Sequence, residues 1–104
     1  MRMNNEKVEK AIFSAVKEIN TQLPNEQQLE KNTNTVIYGS KGKLDSLGLI
    51  NLIVAVEQNI EDVFDITITL ADERAMSQEN SPFRTIKTLT DYIEILLEEK
   101  LNDR

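Results

Sequence analysis

The chain of 104 residues has no cysteine, no histidine and no tryptophan, and only three glycines and two prolines. Each absence removes a class of function. Without cysteine there is no disulfide framework, no thiolate nucleophile and no cysteine-based zinc site. Without histidine there is no Ser-His-Asp triad and no imidazole metal ligand. An enzyme made from this chain would have to work with carboxylates and lysines alone, so a non-enzyme is expected. No apolar run reaches the length of a membrane span, and Met1 to Asn5 lacks the hydrophobic stretch of a signal peptide. A soluble cytoplasmic protein of one domain, 1–104, with a real but modest core, is the expectation.

Positive charge is scarce in one half. Residues 1–43 carry seven basic and five acidic side chains, net +2, whereas 44–104 carry five basic and thirteen acidic ones, net −8. No positive charge falls between Leu44 and Thr69, where Asp45, Glu57, Glu61, Asp62 and Asp65 are all acidic. Such a surface repels nucleic acid and anionic lipid. Acidic faces also simply keep small proteins in solution, so the charge serves here only to exclude nucleic acid as a partner.

Hydrophobic periodicity predicts an all-α fold. Val8, Ile12, Val16 and Ile19 recur at helical spacing, widened by Ala11, Phe13 and Ala15, which predicts a helix from Glu6 to about Leu23, capped by Asn4 or Asn5 and ended by Pro24. The polar stretch that follows, as far as Lys43, reads as a partly packed loop anchored by Val36, Ile37 and Tyr38. Gly39 and Gly42 lie beside Ser40, Lys41 and Lys43, but Leu44 stands where a phosphate-binding loop needs Ser or Thr, so that reading fails. A second helix is expected from Ser46 to about Phe64, close to 28 Å long, and apolar enough in its first turns to be the central packing element. Asp65 to Thr69 alternates like a strand but has no second strand to pair with, so it reads as an extended connector burying Ile66 and Ile68. A short helix from Thr69 to about Met76 and a final helix with its capping pattern in Thr88-Leu89-Thr90-Asp91 complete the expectation. Leu89, Tyr92, Ile93, Leu96 and Leu97 would form the buried stripe of the last helix, which frays at Asn102 to Arg104. The fold expected is a small four-helix bundle: three main helices, one short third helix and long connecting loops.

One local pattern carries chemistry. In Asp45-Ser46-Leu47, Asp45 fits the N-cap, its carboxylate accepting from the amide of Leu47 or Gly48, and Ser46 is the first helical residue. First-turn amides lack intrahelical partners, and the aligned peptide dipoles leave partial positive charge there. A phosphodiester on the Ser46 oxygen would be stabilised by that field. By local spacing alone, the plainer account is an Asp cap followed by an ordinary serine.

The wider pattern changes that balance. Asp45-Ser46-Leu47 opening an apolar helix, the acidic end of that helix, a short third helix and a last helix containing Asp91-Tyr92-Ile93 together resemble the acyl carrier protein family. The resemblance is sharpest over 44–66 and 85–97. It implies that a phosphopantetheinyl transferase moves 4′-phosphopantetheine from coenzyme A onto Ser46, with Asp45 and Leu47 flanking the attachment point. The arm's thiol would then carry an acyl or aminoacyl group as a thioester, loaded by a ligase and used by downstream acyltransferases. No base for Ser46 lies in the chain, so the transferase would supply both base and magnesium. Nothing in the sequence demands an oligomer, and a monomer is expected.

In carriers of this kind the helix after the serine meets partner enzymes. Here Gly48 and Asn51 stand where many fatty-acid carriers place acidic residues, leaving Glu57, Glu61 and Asp62 as the expected partner-facing charges. Gly48 also weakens the helix by up to about 1 kcal/mol relative to alanine. The stretch Ala71 to Thr85 is longer and more basic than in a minimal carrier, which points to a specialised member rather than the housekeeping one. If an acyl chain folded back into the bundle, Ile50, Ile53, Val54, Ile66, Ile68, Phe83, Ile86 and Leu89 would be candidates to line its path, although core positions look the same. The alternatives are an aminoacyl carrier of the D-alanyl type and, from a different class, a non-catalytic helical adaptor. A carboxylate- or lysine-based enzyme has little support, since Glu61-Asp62 and Glu98-Glu99 read as solvated helix faces.

Overall fold

The computed structural model describes residues 3–38, 44–70 and 83–102. Three helices build it: α1 (Met3–Asn20), α2 (Ser46–Phe64) and α3 (Ile86–Asn102). A single 3₁₀ turn, Asn25–Gln27, follows α1. Among the described residues there is no strand, and the isolated antiparallel bridge between Val36 and Thr85 is the nearest approach to one. The molecule is a small helical bundle. The short helix expected from Thr69 to Met76 falls, from Ala71 on, outside the described residues, as do Gly39 to Lys43.

The predicted stripe of α1 is buried in full: Val8, Ala11, Ile12, Ala15, Val16 and Ile19 all face the core. Its limits differ from those expected. The helix starts at Met3, so Asn4 and Asn5 lie within its first turn instead of ahead of it. It also stops at Asn20, three residues before Leu23, because amide side chains take over there. The Asn20 side chain pairs with both main-chain groups of Leu29, donating to its carbonyl and accepting from its amide, each at 2.9 Å. Gln28 Nε2 donates to the carbonyls of Asn20 and Leu23, at 3.1 and 3.2 Å, supplying partners that a continuing helix would otherwise provide. Leu29, held by this clamp, is buried.

α1 packs against both α2 and α3, so it is α1 that holds the described helices together. The expected central role of α2 is corrected accordingly. Its core face is one-sided, made of Leu49, Leu52, Ile53, Val56 and Ile60, while Leu47, Ile50 and Val54 face outward at 68, 44 and 54 % exposure. Apolar residues around most of a helix signalled burial on most sides, but a chain of this size lacks the surface to cover them all. α1 and α2 run antiparallel: Asn59 Nδ2, late in α2, donates to the Ala11 carbonyl at 3.0 Å, whereas Glu18 to Gln22 lie beside Asn51 to Gln58.

The last helix begins two residues before Thr88. Thr85 and Thr88 cap it reciprocally, the Thr88 amide donating to Thr85 Oγ1 at 3.1 Å and the Thr85 amide donating to Thr88 Oγ1 at 3.0 Å. The loop before α2 completes the joint. The amides of Ile86 and Lys87 donate to the carbonyls of Thr35 and Thr33, at 3.1 and 2.8 Å, and the Ile37 amide donates to the Arg84 carbonyl at 2.8 Å. Of the three anchors expected in that loop, Ile37 is fully buried while Val36 and Tyr38 are half-buried. Along α3 the buried stripe is Ile86, Leu89, Ile93 and Leu97, with Tyr92 and Leu96 half-buried. Exposed Asp91 pairs with Lys87 one turn earlier at 3.7 Å.

Candidate functional site

The site is the start of α2. Leu44 is buried and fixes the chain's approach, and its amide donates to the Ile37 carbonyl at 3.3 Å. Asp45 then sits in the extended region at φ −83 and ψ −176, and its carboxylate accepts from the Gly48 amide at 2.8 Å. This is the N-cap geometry expected, with Gly48 rather than Leu47 as the donor. Ser46 is the first helical residue. Leu47, directly after it, is the most exposed large apolar side chain among the described residues.

The electrostatics follow from that arrangement. Asp45 accepts one first-turn amide, and among the described residues none accepts from the Leu47 amide. The end of the helix therefore keeps part of its positive potential. No lysine or arginine lies in α2 to compete for an anion there. Among the described residues, this donor set and the helix dipole favour a negatively charged group at the start of α2.

Gly48 occupies a crowded spot. A Cβ at that position would lie 3.3 Å from Asp45 Oδ1 and from Leu44 Cδ2, and 3.4 Å from Leu44 Cβ. The missing side chain thus leaves room for the Asp45 carboxylate to reach the amide it caps.

The expected partner-facing acids separate into two kinds. Glu61 and Asp62 are exposed. Glu57 is half-buried and its Oε2 accepts from the buried Leu70 amide at 2.6 Å, so this carboxylate is already engaged inside the molecule. Asp65 caps the end of α2: its amide makes the last helical bond, to the Glu61 carbonyl at 2.8 Å, and its left-handed backbone (φ 56) then turns the chain off the helix.

Ile50 and Val54, expected to line an interior path, instead continue from Leu47 as an exposed apolar strip along α2. Ile53, Ile68, Phe83, Ile86 and Leu89 are buried core residues, and Ile66 is half-buried. Uncharged Asn51, next to Ile50 in sequence, is exposed as well, and so is acidic Glu61 about two turns beyond Val54. The strip was missed in the sequence, yet its signal was present: Leu47, Ile50 and Val54 share one face, displaced from the Leu49–Leu52–Val56 face. No described helix is long and apolar enough to cross a membrane. No protein-family model, curated protein or solved structure matches the chain.

Proposed function

We propose that this chain is a carrier protein, holding acyl or aminoacyl groups on a 4′-phosphopantetheine arm attached through Ser46 and delivering them to partner enzymes. One observation carries the reading: Ser46 is the first residue of a long helix, directly after a capping Asp45 and directly before an exposed Leu47. When attached, the arm supplies a terminal thiol on which the cargo is held as a thioester. The chain itself supplies a rigid, electrostatically favourable anchor. Asp45 fixes the first turn through the Gly48 amide, and the helix dipole offsets the phosphodiester charge. With no histidine in the sequence and Asp45 engaged in capping, deprotonation of Ser46 falls to the transferase. A short third helix ending near Met76, starting after Leu70 because Thr69 and Leu70 are not helical, belongs to this reading, as do a loading ligase, downstream acyltransferases and a cytoplasmic setting. The uncharged Gly48 and Asn51 near the anchor favour a specialised carrier over the housekeeping one.

The test is direct. Incubated with a broad-specificity phosphopantetheinyl transferase, coenzyme A and magnesium, the protein is expected to gain the mass of one phosphopantetheine. Ser46→Ala should abolish the gain while leaving the helical circular dichroism signal and thermal midpoint close to those of the parent. Failure to gain mass with several transferases overturns the carrier reading. It would favour a second one, an adaptor that binds partners through α2, to which the exposed Leu47–Ile50–Val54 strip lends support.

A further inference from the structure

The connector after α2 is held to the molecule in an unusual way. It brings Leu70 back beside Glu57, about two turns from the end of the helix it has just left. Among the described residues, Ile66, Thr67, Ile68, Thr69 and Leu70 make a single hydrogen bond, that of the Leu70 amide to Glu57 Oε2 at 2.6 Å. Among the described residues, no ladder, turn or cap secures the rest. Ile68 and Leu70 are buried and Ile66 is half-buried, while Thr67 and Thr69 face outward. At its other end the connector starts from Asp65, the only described non-glycine residue with positive φ, where the chain reverses off the helix.

We infer that residues 66–70 form a strap, hinged at Asp65 and latched by the Glu57 carboxylate. Shut, the strap seals one side of the core with Ile68 and Leu70. Released, it swings off α2 as a unit while the three helices stay folded. Two physical points support the device. A buried amide without an acceptor is costly, so the Leu70 amide stays in the core only while Glu57 accepts from it. Proteins also open locally at free energies below that of global unfolding, and among the described residues the backbone of 66–70 has one hydrogen bond to lose. The inference does not depend on what Ser46 carries.

Amide hydrogen exchange, followed by NMR on the full chain, tests it with Glu57→Gln and Glu57→Ala. In Glu57→Ala the Leu70 amide is expected to exchange at least tenfold faster, with Ile68 following, while Val56 in α2 and Ile93 in α3 keep their protection. Glu57→Gln retains a side-chain carbonyl as acceptor and should fall between the two. Unchanged exchange at Leu70 overturns the latch. Acceleration at Leu70 without Ile68 overturns the strap as a unit, and equal acceleration at Val56 and Ile93 reduces Glu57 to a general stabiliser. Should the alanine variant fail to fold, exchange of the parent protein in rising denaturant decides instead: residues 66–70 are expected to open together before the helices, and simultaneous opening overturns the proposal.

Discussion

Helices α2 and α3 begin in opposite ways. At α3 the chain satisfies its own first turn: Thr33 and Thr35 carbonyls take the amides of Lys87 and Ile86, and the Thr85 hydroxyl takes that of Thr88. At α2 one exposed carboxylate, Asp45, takes the amide of Gly48. The first arrangement uses the positive end of a helix as an internal fastener. Among the described residues, the second leaves it available to an outside group, which is what the proposed attachment at Ser46 requires. Two helix starts of similar length thus serve joining and presenting respectively, and the difference lies in how many amides are already taken.

The largest effect that would sharpen this contrast is the complete loss of phosphopantetheine addition in Ser46→Ala, with stability nearly unchanged. Next comes Thr85→Ala, which removes the cap of α3 and is expected to lower stability by about 1–2 kcal/mol, read as a shift in the urea midpoint, without affecting modification at Ser46. Asp45→Ala should cost about 1 kcal/mol and also slow modification, whereas Asp45→Asn should keep most of the stability. If Thr85→Ala slowed modification as much as Asp45→Ala, the division between the two starts would break down. At the far end of α2, Asp65→Gly relieves the positive φ and removes a negative charge from the helix C-terminus. It should raise stability by about 0.5–1 kcal/mol in the same measurement. Smallest of all, Gly48→Ala should change stability by less than about 0.5 kcal/mol, because the gain in helix propensity is offset by crowding against Asp45 and Leu44.

The parts of the fold legible in the sequence were those set by neighbouring residues. The limits of α2 follow from an acidic residue before an apolar run, and Asp45 does cap it. The buried stripe of α1 follows from spacing alone. Features set by distant residues left no such trace. The end of α1 at Asn20 depends on Gln28 and Leu29, eight and nine positions on. The start of α3 is masked in the sequence because Thr88 to Asp91 has the outline of a capping box, while the operative pair is Thr85 with Thr88. Glu57 looked like a surface charge because its acceptor role depends on Leu70, thirteen residues away in a connector without periodicity. Side-chain type announced where a helix could begin, but not which carboxylates the tertiary structure would claim.

The joint between residues 33–37 and 84–87 is built mostly from main-chain atoms: the carbonyls of Thr33, Thr35 and Arg84, and the amides of Ile37, Ile86 and Lys87. Evolution can therefore exchange exposed side chains along that seam almost freely, because every residue but proline offers the same two backbone groups. Spacing is another matter, since removing one residue would put each donor opposite the wrong oxygen. That stretch should drift in composition among descendants of this chain while keeping its length.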